Sequence, residues 1–414
     1  MSKGNNDNSS GKISLIVAII IGMNAMIGAG VVALPALLAT KVGPAGVLSV
    51  LLCVVTVIFI GLALGHVADL YPGEGWVYSY PSKWGGHAMG MISASLYLFG
   101  VFGGMGFVLQ QSGIWGNRLL PFLSPSFIVV AILIILTILV LAGAAVSSVG
   151  QYIIAAFVLI PLIITGIVCG FNFKVELITT SFMPYGFSSV LVGFSVVIFS
   201  LLGFESIISL YPIIKNPKKN VPKACVLSIV GIGLLYLIFI SGILFSIPAA
   251  HFSGGVSDTL SNVLLKEFPH FKVLAWFILI GALFGIIGTL HSMLWSVSEL
   301  FTDVLKKAKS KVIKNALAKK MWTNNTSIIA TSLIMLIMSL FIHGEDLVYM
   351  TVLFMVPANV FSIMLLLFIK KEWKSGRNIK TILALGGCSV IVYYSGKHVL
   401  SLLIKVFHSI AGWF

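Results

Sequence analysis

Long apolar runs separated by short polar breaks fill almost the whole chain. A membrane-spanning helix needs about 20 mostly apolar residues. Runs of that kind cover 13–40, 44–70, 88–117, 126–148, 151–173, 187–214, 224–248, 272–301, 326–343, 347–369, 379–395 and 398–413. The pattern predicts an all-α integral membrane protein of about 12 transmembrane helices. The last run is short and carries Lys405 and His408. An interfacial amphipathic helix is its alternative reading. Residues 1–12, "MSKGNNDNSSGK", are polar and read as a disordered cytoplasmic tail. The first run, about 28 residues long, exceeds a signal-peptide core and is expected to stay as the first span.

Composition agrees with this pattern. Of 414 residues, 58% are hydrophobic and 9% charged, and the mean hydropathy is +1.09. A soluble domain carries about 25% charged residues. The net charge of +14 would suit nucleic acid, but 24 of the 26 basic residues are lysines in short loops between apolar runs. Such lysines act as topology determinants, and with no nucleic-acid-binding pattern present no nucleic-acid partner is expected. With the N-terminus inside, the inner loops and the inner end of the last span hold 20 basic residues and the outer loops 6. The bias predicts a multi-pass protein of the inner (cytoplasmic) membrane with both termini cytoplasmic. The basic loop 302–325 reads as an anchor on anionic membrane lipid. The outer loop 249–271 is long enough for a short helical lid. Cys53, Cys169, Cys225 and Cys388 lie in or beside apolar runs and read as small hydrophobes.

Two spans are interrupted by glycine near their middles. The first contains "MNAMIGAGVVALP", with Gly28 and Gly30, and the sixth "SLLGFES", with Gly203. Gly28 is the 16th residue of its span and Gly203 the 17th of its own. The sixth span comes five places after the first, so the two run in opposite directions. Matched interrupted helices in inverted halves point to a transporter binding site. The repeats are 13–173 (helices 1–5) and 187–369 (helices 6–10), with helices 11–12 appended at 379–413. Glycine also serves close helix packing; the matched placement, with Glu205 two residues after Gly203, favours the transporter reading.

An unwound stretch at mid-membrane exposes backbone groups that need partners. A half-helix starting after Gly30 presents free N–H groups and a positive dipole end, which suit a carboxylate. Half-helices ending before Gly28 and near Phe199, Ser200 and Leu202 leave free carbonyls, at Ala25, Met26 and Ile27 in the first. Carbonyls suit an ammonium. Together they describe an α-amino acid. Glycine lets the backbone leave helical angles and approach a ligand.

A charge at the depth of Glu205 is costly, by at least about 2.5–3.5 kcal/mol on insertion scales. Three roles are open to it: proton carrier, counter-charge for a cationic substrate, or hydrogen-bonded lock between helices. His291, beside Ser292 in "GTLHSMLW", is either a pocket residue or a structural one that satisfies a carbonyl. His66 and Asp69 read as interfacial, and Glu299 as solvated.

"GMNAMIGAG" and "GFESIISLYPIIKNPKKNVPKA" resemble the amino acid–polyamine–organocation (APC) superfamily of transporters. The resemblance extends from about residue 13 to 413. Within the superfamily the chain is most similar to the basic amino acid/polyamine antiporter branch. The resemblance implies a LeuT-like fold of two inverted five-helix repeats with helices 1 and 6 broken, and exchange by alternating access. It implies that Gly28, Ala29 and Gly30 hold a carboxylate, that Phe199 stacks on and gates the substrate, and that Tyr97 pairs with Glu205. Leu290 or His291 falls near another gating position.

The chain also departs from that branch. Position 199 is Phe where the arginine/agmatine exchanger has Trp. Ala25 replaces a polar residue, and "MVPANVF" lacks the tyrosine that follows its proline. This drop in polarity argues against arginine as substrate. No lysine lies near Val158, where some proton-coupled relatives carry one. Thr289 and Ser292 would serve sodium-coupled chemistry.

The functional expectation is a secondary transporter of amino acids or related amines, with a possible homodimer. The alternative is an amino acid sensor on the same fold. Catalytic, metal and cofactor sites are not expected, because the chain has no HExxH, no GxSxG and no His/Asp cluster at membrane depth. A channel is disfavoured, since no filter-like motif is present.

Overall fold

The apolar runs become helices whose ends sit where the sequence supplies a cap or a breaker. The computed structural model describes residues 13–72, 75–143, 148–179, 182–252, 260–310, 323–369 and 378–411. The expected tail at 1–12 and half of the basic stretch 302–325, residues 311–322, lie outside the described residues. Ser14 caps the first helix, its Oγ accepting from the Val17 N–H at 3.3 Å. Helix α1 spans Leu15–Met26 and α2 spans Ala29–Lys41, bent by 48° at the break between them. Then come α3 (Gly46–Leu70), α4 (Trp76–Leu119), α5 (Pro125–Leu141), α6 (Ser148–Phe171) and the short α7 (Val175–Thr179). Ser124 caps α5, and Pro125 opens it at a position where no N–H is needed.

The second half begins with α8 (Phe187–Val197), a 3-10 turn over Ile198–Leu201 and the short α9 (Ser206–Ser209). It continues with α10 (Pro217–Leu244), α11 (Leu260–Glu267), α12 (Lys272–Lys307), α13 (Asn324–Phe341), α14 (Gly344–Phe368) and α15 (Asn378–Ala411). Among the described residues nine helices are long and apolar enough to cross a membrane, and the bent α1–α2 pair makes a tenth. The 17-residue α5 is a shorter apolar helix. The chain is therefore an all-helical membrane protein. Large apolar side chains point outward, such as Ile134, Ile135 and Ile138 on α5, as a lipid-facing surface requires. All four cysteines are free and buried.

Two expectations change. The loop expected before the third span is helical from Trp76, and a kink at Gly86 (φ 70°, ψ −171°) separates that piece from the span proper. Lys83 and Lys307 lie over the rings of Tyr71 and Tyr78, at 4.2 and 4.3 Å from the centroids, and so tie this segment to its neighbours. The expected spans 379–395 and 398–413 are one continuous helix, α15. Gly396 and Lys397 do not break it, since a lone glycine is tolerated in a membrane helix and no proline follows. The predicted twelfth span, with its return of the C-terminus to the N-terminal side, is thereby replaced by a helix that runs on in one direction. The outer loop at 249–271 does contain a helix, α11.

Ion pairs sort the loops by side. Lys41 bonds Glu345 at 2.5 Å, and Lys174 lies 3.6 Å from Glu267, so the links before α3, α8, α12 and α14 share one face. His398 bonds Asp346 on that same face, at 3.1 Å, and stacks on Tyr349. Helix α15 thus reaches the face of the Glu345 and Asp346 carboxylates at His398.

The two interrupted spans lie side by side and antiparallel. Where α1 begins, Ile13 pairs with the end of the sixth span: its N–H donates to Ile213 O at 2.8 Å, and its carbonyl accepts from Lys215 N–H at 3.0 Å. Further along, Gly22 faces Ile207, the Ala25 carbonyl faces Gly203, Gly30 faces Ser200, and Leu38 faces Gly193. Numbers rise along one strand of contacts as they fall along the other. The two glycine breaks therefore meet at the same depth.

Candidate functional site: the paired helix breaks

In the first break, α1 ends at Met26 and α2 starts at Ala29, with Gly28 extended at its N-cap (φ −113°, ψ −156°). No side chain caps α2. Its first N–H groups are therefore open donors at the positive end of a helix dipole. The helix resumes two residues earlier than expected, and Gly30 lies inside α2. Its role is spatial: a Cβ there would run into Ser200 Oγ and lie 3.0 Å from the Phe199 ring.

In the second break, α8 tightens into the 3-10 turn, Leu202 is extended, and Gly203 takes φ +116°. That conformation is open to glycine and strained for other residues. A Cβ on Gly203 would also strike the Ala25 carbonyl. Glu205 is fully buried, and both its carboxylate oxygens accept hydrogen bonds. Gly203 N–H donates to Oε2 at 2.9 Å, and Tyr97 O–H donates to Oε1 at 3.3 Å. The carboxylate thus holds the unwound backbone to α4. Trp76 packs edge-on against Tyr97, with ring centroids 5.2 Å apart.

The exposed carbonyls find partners on distant helices. Tyr236 O–H on α10 faces both Ser200 O, at 3.0 Å, and Met26 O, at 3.3 Å. One hydroxyl thereby bridges the two breaks. Thr289 O–H on α12 donates to Ile27 O at 3.1 Å. Met26 O also accepts from Gly28 N–H at 3.2 Å, whereas Ser200 O keeps a second lone pair.

A cavity of about 50 Å³ opens where the breaks meet. Of the residues singled out in the sequence, Ala25, Met26, Gly28, Gly30, Phe199, Ser200, Leu202 and Gly203 line it. Ile27 contributes its carbonyl to Thr289, and Ala29 supplies the first turn of α2. Tyr97, Glu205 and His291 do not line the cavity. His291 is buried on α12, and its Nδ1 has no protein partner. Its neighbours Leu290 and Met293 reach the cavity instead. Phe199 packs edge-on against Phe107 at 5.3 Å and closes one side.

Sequence reasoning missed two walls. Val101, Gly104, Met105 and Val108 form one face of α4, and Thr351 and Met355 form one face of α14. The α4 positions follow Tyr97 at helical spacing, so extending its face by turns would have found them. A second, apolar cavity lies behind Gly28, bordered by Val31, Val158, Pro161 and Gly281. Val158 and the Ile27 carbonyl both pack on Gly285. The helix 5 position is thus beside the break, and a valine occupies it.

Comparison with known proteins gives a consistent match. Residues 13–411 match the amino acid permease family. The chain is 27% identical to the aspartate-proton symporter of Bacillus subtilis (strain 168) over 276 residues, 63% of this chain and 51% of that one. It is 24% identical to the branched-chain amino acid permease BcaP of the same organism over 340 residues, 75% of this chain and 70% of that one. It is 28% identical to cationic amino acid transporter 4 of Mus musculus over 247 residues, 52% of this chain and 38% of that one. The match spans about half the length of the symporter.

Proposed function

Because the chain belongs to the amino acid permease family, we propose that it is a secondary transporter that carries α-amino acids across the cytoplasmic membrane by alternating access. The observation that carries this reading is the meeting of two antiparallel helix breaks around one cavity. The uncapped start of α2 would take the substrate carboxylate. The break carbonyl of Ser200, with a lone pair to spare beside Tyr236, would take the ammonium. Phe199 would act as the gate, since it lies between α2, α4 and the cavity.

Antiparallel placement of the broken spans supports two inverted repeats, 13–173 and 187–369. The lysine-rich loops support a cytoplasmic N-terminus. Exchange is the favoured coupling mode. Glu205 is enclosed by two donors away from the cavity, which supports the lock over the proton carrier. Val158 offers no proton site in the second cavity.

The relatives' named substrates span acidic, branched-chain and cationic amino acids, so they support amino acid transport without favouring one side-chain class. The test is counterflow in proteoliposomes with labelled amino acids, with and without an imposed pH gradient. Exchange predicts counterflow that the gradient does not drive. Binding without counterflow would instead support an amino acid sensor on the same fold.

A further inference from the structure

The cavity lining is of two chemical kinds. Backbone groups and the Ser200 hydroxyl gather at the breaks, and Ser200 Oγ is buried without a protein partner beside Gly30. The apolar part of the lining comes from Val101, Met105 and Val108 of α4, Met293 of α12 and Met355 of α14, and Val108 reaches the Gly28 break. Among the described residues no charged side chain lines the cavity. Its two threonine hydroxyls already donate elsewhere, Thr351 to Leu347 O at 2.7 Å and Thr289 to Ile27 O at 3.1 Å.

We infer that this apolar, uncharged lining selects an uncharged, apolar side chain of small to medium size, so that the substrates are neutral apolar amino acids. The inference rests on the transport site proposed above. A carboxylate side chain would find no donor among the valines and methionines. An ammonium or guanidinium would find only two hydroxyl oxygens and no counter-charge. Leaving a charge unpaired in a buried site costs several kcal/mol. Three flexible thioethers can instead reshape around alkyl groups of different outline. The expected specificity is therefore sharp against charge and loose among apolar shapes.

The test uses the full chain, purified, in two arms: ligand-induced thermal stabilisation in detergent, and counterflow in proteoliposomes. The probes are alanine, leucine, methionine, aspartate and lysine. The neutral three are expected to bind and exchange. Aspartate and lysine are expected to compete roughly 100-fold more weakly or worse. Comparable binding by aspartate or lysine overturns the inference. Binding of the neutral three without counterflow removes the transport reading and leaves the side-chain class standing. Binding by none of the five removes both. The variant Met293→Ala enlarges the space within the apolar lining, so phenylalanine should gain about tenfold against alanine in competition. An unchanged ratio would show that Met293 does not border the side chain.

Discussion

The two breaks share a depth and a glycine, yet they are finished differently. The first leaves its resumed helix uncapped, with Gly28 at the N-cap and open N–H groups facing the cavity. The second is filled from within its own chain, because the Glu205 carboxylate accepts from Gly203 N–H and Tyr97 O–H. The four-residue α9 and a 3-10 turn over Tyr211–Ile213 follow it. One break is left open for an anionic ligand group; the other carries its own carboxyl group. Homologous-looking interruptions can therefore divide the work, one binding and one bracing.

The sharpest way to break this comparison is at Gly203. Gly203→Ala forces a side chain into φ +116° and against the Ala25 carbonyl. Strain and overpacking together should cost roughly 2–6 kcal/mol. Yield and monodispersity in size-exclusion chromatography should collapse; a well-folded variant would show that the second break is not a brace. Gly30→Ala, with ordinary helical geometry but a Cβ driven toward Ser200 and Phe199, should cost about 1–3 kcal/mol. It should fold and lose ligand-induced stabilisation. If it bound ligand normally, the first break would not be the receiving one.

Smaller effects refine the picture. Tyr236→Phe removes the hydroxyl that bridges Met26 and Ser200 and should lower stability by about 1 kcal/mol in thermal unfolding. Exchange should slow further, because both breaks lose a common anchor. Glu205→Gln keeps an acceptor for Gly203 and a polar partner for Tyr97, so the loss should stay below about 1 kcal/mol. The pH profile of exchange should match that of the unchanged chain. A shifted profile would return Glu205 to proton transfer and undo the contrast between the breaks.

Much of this was legible because the rule it broke was strong. A glycine followed by Glu205 in an apolar run has few explanations in a membrane, and "SLLGFES" located the second break to the residue. The first resumption was placed two residues late, because Gly28 and Gly30 look alike in sequence. One starts a helix as its N-cap and the other admits Ser200, and only the fold separates those tasks. Tyr236 and Thr289 were opaque as anchors for a different reason. Each sits on a largely apolar helix, and its partner carbonyl lies 210 or 262 residues away. The last helix was misread at Gly396, Lys397 and His398, a sequence that resembles a turn. His398 is instead an in-helix residue that reaches Asp346.

The bridge between Ile13 and the Ile213–Lys215 stretch makes a clasp at the lysine-rich face. It joins the outermost turn of one broken span to the tail of the other, and Gly22 packs on Ile207 of that tail nearer the breaks. Two fastenings at separate heights turn the near half of the first span and the tail of the sixth into a single lever. Whatever swings one half away from the cavity must carry the other with it.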